Sequence, residues 1–230
     1  MQLLLNKGAD VNAQGGKYGN ALQAASHEGN LEVVQLLLDK GVDVNAQGSY
    51  LGNALQAASR HGYLEVVQLL LNKGADVNAQ GGKYGNALQA ASLLSSQEVM
   101  ELLLDKGADV NAQGGQYGNA LQAALSHGNL EVVQLLLNKG ADVNAQGRYY
   151  GNALQAASLH GYLEVVQLLL NKGANVNAQG GKYVNALQAA SHHNHQDIVQ
   201  LLLDEGADVN AQTLQAASGG GNPRSCNYSI

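Results

Sequence analysis

The sequence predicts an all-α solenoid of stacked helix-turn-helix units with finger loops, and three observations predict it. A Val-Asn-Ala-Gln segment places its Asn at Asn12, Asn45, Asn78, Asn111, Asn144, Asn177 and Asn210, each 33 residues after the last. An Asn-Ala-Leu-Gln segment recurs at Asn20, Asn53, Asn86, Asn119, Asn152 and Asn185 with the same period, which gives six full units. The chain has ten Tyr but no Phe and no Trp, so its core is built from Leu, Val, Ile and Ala and its aromatics are placed elsewhere.

Each element of a unit follows from residue type. Asn20 is a good N-cap, because its side-chain oxygen can accept from the free amides of the first turn. Ala21, Leu22, Ala24 and Ala25 then make a short first helix, which Gly29 ends in the left-handed region. Leu31, Val33, Val34, Leu36, Leu37 and Leu38 form a second helix that is apolar over most of its circumference and must be sandwiched. Gly41 ends it, and Val44 to Gly52 reads as an extended finger with a turn. A unit cannot bury its own leucines, but its neighbour covers them. Ala24, Ala57, Ala90, Ala123, Ala156 and Ala189 are small enough to bring first helices together at about 8–10 Å.

Composition bounds function. The single cysteine, Cys226, permits no internal disulfide and gives no sign of an oxidising compartment. The start of the chain lacks a signal-peptide layout and the longest apolar run is three leucines, so an intracellular setting without a membrane span is expected. A net charge of −6 argues against nucleic acid as a partner, since phosphates call for a basic surface.

The unit of finger, helix, turn and helix, ending Leu-Leu-Leu-x-Lys-Gly-Ala-Asp-Val-Asn-Ala, resembles the ankyrin repeat over residues 1 to about 218. Where that family usually reads Thr-Pro-Leu-His, this chain has Asn20-Ala21-Leu22-Gln23 and its copies. The usual finger Asp is Gly15 or its equivalent, and the usual finger Gly is Tyr or Leu. The near-identical Asn-Ala-Leu-Gln-Ala-Ala-Ser units resemble arrays of filamentous fungi that often follow a nucleotide-hydrolysing NACHT domain. The resemblance implies a protein-binding module with no cofactor, its contacts made by finger tips and first-helix ends on a concave face.

Domain boundaries follow from the period. A partial unit spans 1–11, six full units span about 12–209, a truncated unit spans 210–218, and 219–230 reads as a flexible tail. Met1 aligns with Val34, so the first unit lacks its first helix and would leave Leu3 to Leu5 partly uncovered, as in a fragment.

Positions that vary among such similar units are not fixed by stacking. They fall at Lys17, Tyr50, Lys83, Gln116, Tyr149 and Lys182 on the fingers, and at pairs beginning His27, Arg60, Leu93, Ser126, Leu159 and His192 on the first helices. With Arg148, the cations Lys17, Lys83, Lys182 and Arg60 face only one acid, Glu28, a local excess that would steer an acidic or polar partner. The alternative is that scattered cations serve solubility. Tyr18, Tyr84, Tyr117, Tyr150 and Tyr183 form a finger ladder, with Leu51 at the same place in the second unit and Tyr50 and Tyr149 beside it. Tyrosine offers contact area with a polar tip, which suits recognition. The same rings could instead pack on adjacent fingers.

His61, His127, His160 and His193 form a second ladder, with Glu28 and Leu94 completing it. Zinc needs three or four ligands at about 2 Å, and ladder neighbours a helix spacing apart cannot share one ion. The cluster His192-His193-x-His195 is tighter but lacks Cys or carboxylate partners, so solvated histidines are the simpler reading. Glu32, Glu65, Glu98, Glu131, Glu164 and Asp197 sit in the first turn of each second helix, where the dipole favours them. Ser26 and its copies have no matched base, and Gly-Gly-Lys-Tyr is not a phosphate loop. The expected function is therefore binding of a protein or peptide. An enzyme or small-molecule binder using groove Tyr and His is the alternative, which a deep pocket holding a strongly shifted His would favour. End-to-end stacking through the uncovered leucines is a third.

Overall fold

The computed structural model describes residues 10–210 except 49, 148 and 149. The partial first unit with Leu3 to Leu5, the terminal unit beyond Asn210 and the segment 219–230 lie outside the described residues. So do Arg148 and Tyr149.

Twelve helices occur among the described residues, in six pairs. They are α1 (Ala21–His27) and α2 (Leu31–Asp39), α3 (Ala54–His61) and α4 (Leu64–Asn72), α5 (Ala87–Leu93) and α6 (Gln97–Asp105). The same alternation continues with α7 (Ala120–Ala124) and α8 (Leu130–Asn138), α9 (Ala153–His160) and α10 (Leu163–Asn171), α11 (Ala186–His192) and α12 (Gln196–Asp204). First helices pack closely on first helices, except between units four and five, and second helices meet more sparsely. The alanines set this difference: Ala57, Ala90, Ala123, Ala156 and Ala189 are all buried at these contacts. A single apolar core runs through the stack. Leu37, Leu70, Leu103, Leu136, Leu169 and Leu202 of the second helices are its repeating members, each fully buried.

The Asn-Ala-Leu-Gln segment does more than start a helix. Every Asn of the set accepts from the Gln amide three residues on, at 2.8–2.9 Å. In units one, two, three and five the Gln oxygen returns to the Asn backbone N–H, closing a capping box. The same Gln side chain donates its amide hydrogens to the next finger. Gln23 reaches Ala46 and Gly52 carbonyls, Gln56 those of Ala79 and Gly85, and Gln89 those of Ala112 and Gly118, at 2.6–3.2 Å. One buried side chain therefore ties a helix start to the following unit.

A second tie repeats at the finger base. Asn45 accepts from the Asp76 N–H at 2.8 Å and donates to the Gly74 carbonyl at 3.1 Å. Asn78, Asn111, Asn144 and Asn177 make the equivalent pair one unit further each time. This is the physical reason for the Asn of these five Val-Asn-Ala-Gln segments: it satisfies the open carbonyl at the end of the next second helix.

Finger tips also bond to each other, with the Lys83 N–H on the Tyr50 carbonyl and the Gln116 N–H on the Lys83 carbonyl, both at 2.9 Å. The contact is so close that a Cβ at Gly82 would come 2.3 Å from the Gly52 nitrogen. Each finger closes through a hydrogen bond between residues four apart, from Gly15 to Gly19 in the first and from Gly180 to Val184 in the last. The closing residue is Gly at φ 82–100° in five units, but Val184 holds φ 67° in the sixth. A β-branched side chain in the left-handed region is strained by about 1–3 kcal/mol. Val184→Gly is expected to raise the melting temperature by about 2–4 °C, the release of strain exceeding the added entropy of the unfolded chain. Differential scanning calorimetry checks this, and an unchanged or lower value would contradict it.

Candidate functional surface

At several fingers and first-helix ends, rings, imidazoles and cations touch one another. The finger places the Tyr over the first-helix ends of its own and the preceding unit, and each contact depends on what occupies those ends. In unit one Tyr18 meets His27 at 4.8 Å between centroids, and His27 meets His61 at 4.5 Å. His61 stacks on Tyr63 at 5.7 Å. In unit five Tyr150 meets His160 at 5.4 Å, and His160 stacks on Tyr162 at 5.6 Å. Unit six gathers Tyr183, His192, His193 and His195, with the Tyr183 hydroxyl 3.2 Å from His193 Nε2.

The cations sit against the same rings. Lys17 lies over Tyr18 at 5.2 Å and Lys182 over Tyr183 at 4.9 Å. The Arg60 guanidinium covers Tyr84 at 5.0 Å. Lys83 Nζ donates to the Tyr50 hydroxyl at 2.9 Å, and that hydrogen bond holds the Lys83 ammonium above its ordinary pKa. Cations over ring faces add about 0.5–1 kcal/mol each at exposed sites.

Burial separates residues that sequence alone groups together. Tyr84 is only 6% exposed, in a small cluster with Leu51, Ala57, Ala90 and Leu93. Tyr18 and Tyr117 pack at the edge of that cluster, half-buried. The finger ladder is thus partly a packing feature, with the Tyr84 ring enclosed rather than presented. Tyr50, by contrast, is 48% exposed. Among the first-helix positions Leu93 and Leu159 are buried, while His127, His160 and His192 are exposed, as are Lys17 and Lys182 on the fingers. His127 accepts or donates only locally, 2.9 Å from Ser126 Oγ, and has no ring stacked on it in the contacts that link its neighbours.

The family model described as ankyrin repeats (3 copies) matches residues 1–81, 49–114 and 146–213, and that described as ankyrin repeats (many copies) matches 121–170. The chain belongs to the ankyrin-repeat family. Among solved structures, the ankyrin repeat domain of human ASB11 superposes with a TM-score of 0.74 at 25% identity, covering 86% of this chain and 89% of that one. The ankyrin repeat domain of Bcl-3, a member of the IkappaB protein family, gives 0.69 at 28% identity, covering 86% and 90%. No curated protein matches the sequence.

This ankyrin stack offers little to chemistry at its repeated positions. Ser26, Ser59, Ser92 and Ser158 are fully buried between helices, so no substrate reaches them. Among the described residues no group of His, Cys, Asp and Glu is arranged to hold a metal ion, and no helix is long and apolar enough to cross a membrane. Tyr63, Tyr162 and His195 belong to the aromatic surface but escape the ladder reasoning. Their signal is present in the sequence: they stand just before a second helix where units one and four have the capping residues Asn30 and Asn129.

Three imidazoles resist protonation. Burial holds His61 below its ordinary value of 6.5, aided by His27 and Arg60. Burial likewise lowers His160, aided by His193 and His195, and His193 is lowered in the same way by its surroundings and by His192, His195 and Lys182. A folded-state value below the unfolded one adds stability that is complete above about pH 6.5 and is lost as pH falls toward the folded value. The melting temperature is therefore expected to hold above pH 7 and to decline as pH falls below about 6.5. Scanning fluorimetry across this range tests it, and His61→Asn with His160→Asn should flatten the decline.

Proposed function

We propose that this chain, a protein-interaction module of the ankyrin-repeat family, holds a protein or peptide partner on the surface formed by finger tips and first-helix ends. The observation that carries the reading is the exposed Tyr50 hydroxyl fixed by Lys83 at 2.9 Å, within a surface where the varying residues of otherwise matching units adjoin. A fixed, amphipathic ring beside a cation is a low-entropy contact for recognition. Closer packing of first helices than of second helices at four of the five junctions supports a curved stack with this surface on the inner side. Lys17, Arg60, Lys83 and Lys182 favour an acidic or polar partner there, and the reading involves no catalysis.

In this reading the array comprises the partial unit 1–11, six units over about 12–209 and the truncated unit 210–218, in an intracellular protein. The near-identical Asn-Ala-Leu-Gln-Ala-Ala-Ser units support a recognition array of the fungal receptor-associated kind. The test is affinity capture with the intact chain and with a Tyr50→Ala, Lys17→Glu, Lys182→Glu variant, all three positions being exposed. The variant should lose the captured protein while melting within about 2 °C of the parent. Equal capture by both would count against the surface.

A further inference from the structure

The 33-residue repeat conceals a longer one, in which units four to six repeat the departures of units one to three. Asn30 and Asn129 precede the second helix in units one and four, Tyr63 and Tyr162 in units two and five, and Gln97 and Gln196 open it in units three and six. The surface follows this period. Between α2 and α4 lies a groove of about 730 Å³ with a floor of Leu31, Leu64, Leu69 and Leu102 and a rim of Glu32 and Glu65. Between α8 and α10 lies a groove of about 370 Å³ with Leu130 and Leu168 below and Glu131 and Glu164 at the rim. Every residue lining the second groove has its identical counterpart three units earlier in the first.

Both grooves are on the second helices, away from the tyrosine and histidine surface. The leucines that open α2 and α8, Leu31 and Leu130, line the two grooves, and the same register is Gln97 or Gln196 in units three and six. Leu64, 36% exposed, adds a further apolar side chain to the first groove. Glu is the sole charged residue type lining either groove. An apolar floor with a carboxylate rim is complementary to one kind of occupant: an amphipathic helix with aliphatic side chains on its inner face and Lys or Arg along its flanks. An uncharged apolar occupant would desolvate the carboxylates without compensation, and an acidic one would be repelled.

We propose that the second-helix face carries two related docking sites for a basic amphipathic helix, the first larger than the second. Three units separate them, about 24–30 Å at the usual helix spacing. The chain is thereby bivalent on this face, and a partner presenting two such helices gains by effective concentration. This inference does not depend on the finger surface.

The probe is a short Leu/Lys amphipathic helical peptide, titrated calorimetrically into the full chain. Two sites per chain are expected. Leu31→Gln or Leu130→Gln alone should reduce the number to one, and the double variant should weaken binding by about tenfold or more. Glutamine already occupies this position in units three and six, so the variants should keep the parent circular dichroism spectrum. The same peptide with Glu for Lys should not bind. A single site, binding indifferent to the double variant, or equal binding of the acidic peptide would overturn the proposal. So would sedimentation of the parent as a dimer that the double variant converts to monomer, since a second copy would then be the occupant.

Discussion

Gln89→Ala is expected to lower the unfolding free energy by about 3 kcal/mol, an unusually large loss for removal of a polar side chain. Gln89 is 2% exposed and its side chain makes three hydrogen bonds at once. Its oxygen accepts from the Asn86 N–H at 2.8 Å, and its amide donates to the Ala112 and Gly118 carbonyls at 2.9 and 3.0 Å. Alanine removes a helix cap, worth about 1 kcal/mol, and strands finger carbonyls of the next unit. Gln89→Glu separates the two contributions. A carboxylate keeps the bond to the Asn86 N–H but turns an acceptor toward two carbonyls, so a loss of about 2 kcal/mol or more is expected even though the cap is retained. Urea unfolding measures both variants. A loss below about 1 kcal/mol for alanine would show that the finger is held by other contacts.

Tyr84→Ala is expected to cost about 3 kcal/mol, whereas Tyr50→Ala should cost about 0.5 kcal/mol or less. The two residues are both variable-surface tyrosines on fingers, yet one ring is 6% and the other 48% exposed. Tyr84 is enclosed by Leu51, Ala57, Ala90 and Leu93 with Arg60 over its face, so truncation leaves a cavity. Leu51 explains the asymmetry. In the second unit it replaces the ladder tyrosine and lets the Tyr84 ring settle beside it. Similar losses for the two variants in thermal unfolding would contradict this division of roles.

The period, the helix caps, the first-turn acids and the buried alanines were all legible in the sequence, because each depends on local chemistry repeated in every unit. Gln23 and its copies were legible as a departure from Thr-Pro-Leu-His but not as an inter-unit tie, since the carbonyls they reach belong to residues 23 and 29 positions away. Tyr84 and Tyr18 look alike in sequence, and their different burial depends on whether Leu or Tyr occupies the neighbouring finger. His61 and His160 were legible as a ladder. Their pairing with Tyr63 and Tyr162 was not, because it rests on a loop residue two positions on that replaces an ordinary cap. Arg148 and Tyr149 were part of the sequence reading and lie outside the described residues.

The finger and first-helix surface is tested most directly by hydrogen–deuterium exchange on the chain alone and in complex with its captured partner. The account predicts new protection at the finger segment around Tyr50 and Lys83 and at the first-helix ends around Arg60 and His61, with α2, α4, α8 and α10 unchanged. Protection confined to those second helices, with the fingers exchanging as in the free chain, would contradict it.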